Sequence, residues 1–159
     1  MTEKNPYGAP AALVADTQPE AGSPAKGVVY GVLVDILGTI TVGAAIGFGY
    51  GIVLATSGAS QEEIQAAVTQ SNDPTTMLGF IGIVVGCGFS LLGGYVCARV
   101  AGRAELQWAA LTGAISFVFG LVMAMQSYSL PVHLLLSGLA FLMVLLGGYL
   151  GARRNARHP

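Results

Sequence analysis

Asp35 lies inside an apolar segment long enough to cross a membrane, and no such segment of the chain contains another Asp, Glu, Lys or Arg residue. A charge at the centre of a bilayer costs roughly 2.5–3.5 kcal/mol on insertion scales, and less toward an interface. An acid at such a position predicts either a proton or cation site or a structural pair that joins two helices.

The candidate partners of Asp35 stand in a nine-residue phrase that the sequence contains twice. Residues 91–99 read Leu-Leu-Gly-Gly-Tyr-Val-Cys-Ala-Arg, and residues 145–153 read Leu-Leu-Gly-Gly-Tyr-Leu-Gly-Ala-Arg. An arginine near a helix end can extend its side chain along the helix, and a tyrosine hydroxyl can donate a hydrogen bond to a carboxylate. We therefore predict a buried-charge site built from Asp35, Tyr95, Arg99, Tyr149 and Arg153.

The composition predicts helices that cross a membrane. Of the 159 residues, 53% are hydrophobic and only 9% are charged, whereas soluble domains carry about a quarter charged residues. The apolar residues form four segments, each close to the ~20 residues that a membrane helix needs, at 28–55, 76–98, 106–125 and 132–151. The predicted fold class is all-α, a polytopic membrane protein with four transmembrane helices.

The basic residues indicate an orientation. All seven lie before the first span, between the second and third, or after the fourth. Cytoplasmic loops collect Lys and Arg, so both termini are predicted to be cytoplasmic. We expect a disordered cytoplasmic tail over residues 1–26, a transmembrane domain over 27–152, and a basic cytoplasmic tail over 153–159.

The longer outer loop contains signals of a short helix. Ser60 and Glu63 have capping-box spacing, and the apolar residues that follow recur at helical spacing. We predict a short amphipathic helix over residues 61–70 at the outer membrane surface. Asp73 or Thr75 is expected to cap the next membrane helix.

The doubled phrase also predicts how the halves are related. Both copies close spans that run toward the cytoplasm. The two halves are therefore predicted to be parallel repeats, each a helical hairpin that begins and ends in the cytoplasm.

Small residues recur every four positions along the first two spans. Residues four apart share a helix face, and small residues there let two backbones approach closely. Rows this long predict tight packing between these spans or across an oligomer interface. The predicted packing residues are Gly43, Gly47, Gly51, Gly82, Gly86, Ser90 and Gly94.

No pattern typical of enzyme chemistry stands out. The sequence offers no Ser-His-Asp set, no paired carboxylates, no metal-ligand spacing and no phosphate-binding loop. Cys87 and Cys97 lie ten residues apart on one predicted helix, about 15 Å, which is too far for a disulfide. We predict a protein that is not an enzyme and binds no cofactor or metal.

Two motifs carry a resemblance to known proteins. Residues 5–10 read Asn-Pro-Tyr-Gly-Ala-Pro, and two spans end in Gly-Gly-Tyr-x-x-Ala-Arg. With them the chain resembles a group of uncharacterised small four-span bacterial inner-membrane proteins. That resemblance implies a multi-pass protein of the bacterial inner (cytoplasmic) membrane, and no activity. Locally, residues 35–39 (Asp-Ile-Leu-Gly-Thr) are similar to the Glu-x-x-Gly-Thr segment of small multidrug-resistance transporters, in which the acid couples protons to drug export.

Two functions stay open at this point. The glycine rows favour a non-enzymatic interaction or assembly subunit that packs with itself, as a homo-oligomer, or with another membrane subunit. The alternative is a small oligomeric transporter or channel that uses Asp35 as a proton or cation site. The lipid bilayer is the partner that the composition predicts, and nucleic acid is not expected.

Overall fold

The computed structural model describes residues 22–71, 73–123 and 129–157, and these residues form five α-helices and no strand. Four of the helices are long and apolar enough to cross a membrane. The predicted all-α, four-span fold class is confirmed, and the protein is a multi-pass membrane protein. The helices are α1 (Pro24–Thr56), α2 (Gln61–Ser71), α3 (Met77–Ala101), α4 (Glu105–Met123) and α5 (Leu130–Asn155).

The predicted spans and the helices agree closely. The membrane helices α1 and α5 extend past their predicted spans at both ends, and α3 continues three residues past residue 98. Most of the predicted N-terminal tail, residues 1–21, lies outside the described residues, as do residues 158–159 at the other end.

The α2 helix begins as its capping box predicts. The Ser60 amide donates to Glu63 Oε2 at 2.8 Å, and the Glu63 amide donates to Ser60 Oγ at 3.3 Å. These two hydrogen bonds, the backbone one first, hold the pKa of Glu63 below its ordinary value. The capping-box prediction is confirmed.

The N-cap of α3 differs from the prediction. Thr76, not Asp73 or Thr75, caps the helix, because its Oγ1 accepts from the Gly79 amide at 3.0 Å. Asp73 Oδ1 instead accepts from the hydroxyl and the amide of Thr75, at 2.6 and 2.8 Å, which lowers the Asp73 pKa. At its other end, the helix stops at Ala101, and Gly102 caps it with a φ of 67° in the left-handed region that favours glycine.

The four long helices all run between the same two ends of the protein. We call the end where α1 and α4 begin and α3 and α5 end the terminal face, and the opposite end the α2 face. The α3 helix packs against the other four, most extensively against α5 and α1, whereas α1 and α5 make no contact among the described residues. Since α3 and α5 run in the same direction, the two copies of the doubled phrase lie side by side.

Glycines bring the helices into close contact in the half near the terminal face. A Cβ on Gly93 would lie 2.6 Å from the carbonyl oxygen of Gly31, so α1 and α3 touch through their backbones. Gly94 lies against the backbone of Val144 in α5. Real Cβ atoms do not approach so closely, and any side chain at these positions would push the helices apart.

The two copies of the phrase use their glycines differently. The first copy contacts α1 through Gly93 and α5 through Gly94, whereas the second contacts α3 through Gly147 and α4 through Gly148. The parallel-repeat relation of the two halves stays a prediction. Each glycine pair nevertheless joins its helix to two neighbours at once.

The predicted packing rows divide at about the middle of the membrane. Ser90 and Gly94 are buried, and a Cβ on Gly86 would lie 3.8 Å from Thr39, at ordinary contact distance. A Cβ on Gly43 or Gly82, in contrast, would find no atom within 4 Å.

Two features explain why α1 and α3 separate toward the α2 face. The ring of Phe89 occupies the surface of Gly38, between the two helices. Farther along α1, Gly51 and Gly47 face α2. A Cβ on Gly51 would lie 3.7 Å from the side chain of Ile64, and a Cβ on Gly47 would lie 3.9 Å from that of Val68. The row of small residues on α1 therefore contacts α3 in one half of the membrane and α2 in the other.

Candidate functional site

A cavity of about 490 Å³ fills the space where the helices separate. It is partly open, and it extends from Asp35 in mid-membrane to Ser71 and Met123 near the α2 face. All four long helices contribute to its walls, and the open faces of Gly43 and Gly82 line it. At these positions the small residues therefore leave the space that forms the cavity, and the helices do not pack against each other there.

The floor of the cavity is closed by a tightly packed layer of three helices. A Cβ on Gly31 of α1 would lie 2.9 Å from Cys97 Cβ and 3.1 Å from Thr112 Cγ2. Thr112 Oγ1 donates to Cys97 Sγ at 3.2 Å, and both residues are fully buried. The three helices are therefore closely packed at this level, between the cavity and the terminal face.

Asp35 stands one helical turn above this layer, at the bottom of the cavity. Its side chain is 5% exposed. Ser90 Oγ donates to Asp35 Oδ1 at 2.8 Å. The carboxyl makes no other hydrogen bond to the described residues. An ionised carboxylate has about four acceptor positions, so most of its capacity is left for water, a proton or a bound cation.

Ser116 of α4 lines the same cavity. It stands one turn above Thr112, as Asp35 stands one turn above Gly31, and the two helices run in the same direction. Its hydroxyl oxygen is buried, with no hydrogen-bond partner in the described part of the chain. Such a group is rare in native structures and points to a partner such as water, an ion or a ligand.

The structure separates Asp35 from its predicted partners. Arg99 lies nine residues beyond Ser90 on α3, about 13 Å along the helix. Its guanidinium donates to Asn155 Oδ1 at 2.6 Å. Arg153 is exposed at the terminal face. The carboxyl of Asp35 is hydrogen-bonded to a nearby serine instead, because an arginine turned inward would have to leave the headgroup level where its charge is hydrated.

The two predicted tyrosines also lie away from Asp35. The hydroxyl of Tyr95 accepts a hydrogen bond from Arg154 at 3.0 Å, and Tyr149 is 54% exposed. The tyrosine–arginine ends of α3 and α5 thus form a network of their own at the terminal face.

Asn155 is the centre of that network, although no motif in the sequence predicts its role. Its Nδ2 donates to the Ala98 carbonyl at 3.1 Å and to Glu105 Oε1 at 3.2 Å, while its Oδ1 accepts from Arg99. One side chain therefore ties the ends of α3 and α5 to the start of α4.

His133 lies in the first turn of α5 and faces α4. It is 5% exposed, and its Nε2 is 3.1 Å from the carbonyl oxygen of Gly120. A second cavity of about 200 Å³ lies beside it and shares Ser116 with the first. Within residues 22–71, 73–123 and 129–157, no three His, Cys, Asp or Glu side chains are grouped as a metal site would require.

Comparison of the chain with protein-family models, with curated proteins and with solved structures finds no match.

Proposed function

We propose that the protein is a small transporter or channel that uses Asp35 as a proton or cation site. One observation carries the proposal: a buried carboxyl, with a single hydrogen-bond partner among the described residues, stands at the floor of a partly open cavity inside the membrane domain. Acids at such positions are costly, and they are typical of ion pathways and proton relays. The apolar walls strengthen the attraction between the carboxylate and a bound cation, because they hold water away from it.

The arrangement of the helices supports a path for ions to Asp35 from the α2 face only. The cavity reaches the α2 face, while the layer of Gly31, Cys97 and Thr112 closes the other side. Transport then needs a second state in which this layer opens and the cavity narrows. In the proposed orientation the terminal face, with its arginines, is cytoplasmic in a bacterial inner membrane.

Replacing Asp35 by asparagine tests the proposal. We expect the wild-type protein in liposomes to dissipate an imposed proton or sodium gradient faster than protein-free liposomes do. Asp35→Asn removes the ionisable carboxyl, and the loss of its interaction with the transported ion is expected to lower that flux about tenfold or more. Glu62→Gln, the same change at an exposed position of α2, is the control and should transport like wild type. An unaltered flux in Asp35→Asn, or no flux of either ion in wild type, contradicts the proposal.

A role as an assembly subunit is a second candidate, because the described residues leave one glycine of α3 uncovered. A Cβ on Gly88 of α3 would meet no atom of residues 22–71, 73–123 or 129–157 within 4 Å, and Gly88 does not line the cavity. Such an uncovered notch on a membrane helix suits the close approach of a helix from another subunit.

Filling this notch distinguishes the second candidate. If Gly88 contacts another subunit, Gly88→Leu should reduce the oligomer to a smaller species, measured as the mass of the complex in detergent. Val84 stands one turn away and is 54% exposed, so Val84→Leu adds bulk beside the notch and should leave the mass unaltered. The assembly role is contradicted if both variants keep the wild-type mass.

A further inference from the structure

We propose that Ser116 is a binding residue of the cavity floor, where it forms with Asp35 and Ser90 a three-oxygen site for a compact monovalent cation. The cation is a sodium ion or a primary ammonium group. This inference rests on the proposed function of Asp35, and it adds a residue and a ligand class.

Three helices bring these oxygens to one level. The contact of Gly31 with Cys97 and Thr112 fixes the heights of α1, α3 and α4 relative to one another. Asp35 and Ser116 each lie four residues, or one turn, above that contact on helices of the same direction. The hydrogen bond from Ser90 to Asp35 places the third oxygen beside the carboxyl.

The charge and chemistry of the floor select the ligand. A single carboxylate balances a single positive charge, and a second charge would remain uncompensated in a low-dielectric site. Carboxylate and hydroxyl oxygens are hard ligands of the kind that alkali and alkaline-earth ions prefer. A primary ammonium group has three N–H donors, which match three oxygen acceptors from three helices.

Ser116 is free to take part. Its hydroxyl makes no hydrogen bond to the described residues in its present position, and rotation between staggered side-chain conformations is an ordinary motion. Since Ser116 and Asp35 line the same cavity, such a rotation turns the Ser116 oxygen toward the space in which we propose that the cation binds. Ser90, in contrast, is already bonded to the carboxyl, so Ser116 is the oxygen that a ligand would recruit.

The test is the thermal unfolding of the full-length protein in detergent micelles as sodium chloride or methylammonium chloride replaces choline chloride at constant ionic strength. A ligand that binds only the folded state raises the unfolding midpoint in a saturable way. We expect wild type to respond to at least one of the two cations, and the responding cation identifies the ligand. Ser116→Ala should need an about tenfold higher concentration of that cation for the same rise in the unfolding midpoint, since one oxygen contact is lost.

Two variants make the outcomes distinguishable. Ser71→Ala changes another serine of the same cavity, near the α2 face, and should respond like wild type. Asp35→Asn should not respond at all. If Asp35→Asn loses the response while Ser116→Ala keeps wild-type affinity, the role of Ser116 is refuted and the proposed function stands. A saturable response that survives in Asp35→Asn overturns both, and no response of wild type to either cation overturns the ligand class.

Discussion

Gly147→Ala is expected to destabilise the folded protein by about 1–3 kcal/mol, although alanine is the better helix former. The added methyl group would overlap the carbonyl of Leu91 and lie 2.9 Å from the backbone nitrogen of Tyr95. Both atoms belong to the backbone of α3, so neither can move aside as a flexible side chain would. The helices have to separate, and the contacts of the most extensive interface in the protein weaken together.

Gly94→Ala should have a similar effect, because its Cβ would overlap the backbone of Val144. The matched controls are Gly49→Ala and Gly138→Ala, at helix positions where a Cβ meets no atom of the described residues within 4 Å. These controls should be neutral or stabilising, by up to about 1 kcal/mol, through helix propensity alone. Reversible unfolding in mixed micelles measures the difference, and equal stability of all four variants would refute the packing described for the terminal half.

The two native cysteines should differ in reactivity by about a hundredfold or more. Cys87 lines the cavity and is half-buried. Cys97 is fully buried in the floor and accepts a hydrogen bond from Thr112. A small thiol reagent reaches Cys87 through the cavity, whereas Cys97 reacts only when the helices open locally. The rates of modification, followed by mass spectrometry, measure this difference.

The same experiment reports from which side the cavity is reached. In sealed vesicles, a membrane-impermeant reagent should modify Cys87 from the α2 face and not from the terminal face. Cys87→Ser is the control and should remove the fast phase. Equal rates for the two cysteines, or modification from the terminal face, would mean that the cavity does not connect Asp35 with water at the α2 face.

Much of the fold is predictable from the sequence because membrane helices obey few and strong constraints. Length and apolar composition predicted all four long helices, since the backbone can satisfy its hydrogen bonds in lipid only within helices or closed barrels. The spacing of Ser60 and Glu63 predicted the start of α2, because that motif acts locally. Neither prediction needs knowledge of which helices are neighbours.

The partner of Asp35 was not predictable in the same way. The carboxyl pairs with Ser90, which the sequence predicted only as a small packing residue. The periodic row correctly places Ser90 and Asp35 on facing surfaces, but it does not fix the relative heights of the two helices. That height is set by the backbone contact of Gly31 with Gly93, which is a property of the packed structure.

The glycine rows show a second limit of periodicity. A four-residue repeat marks a face on which close packing is possible, along its whole length. Only the half near the terminal face is packed, because Phe89 covers Gly38 and α2 covers Gly47 and Gly51 in the other half. Phe89 and α2 both lie outside the row of small residues, so the row alone does not reveal the cavity.

The most direct test of the central claim is an infrared measurement of Asp35 itself. The chain has three aspartates, and Asp35 is the one inside a membrane helix, so aspartate-specific isotope labelling with Asp35→Asn as the reference isolates its carboxyl band. We predict that this band changes when the pH at the α2 face is stepped, and that a pH step at the terminal face alone leaves it unaltered. A band that does not respond to the pH at the α2 face would contradict the account, because Asp35 would then be a sealed structural residue and not an accessible proton or cation site.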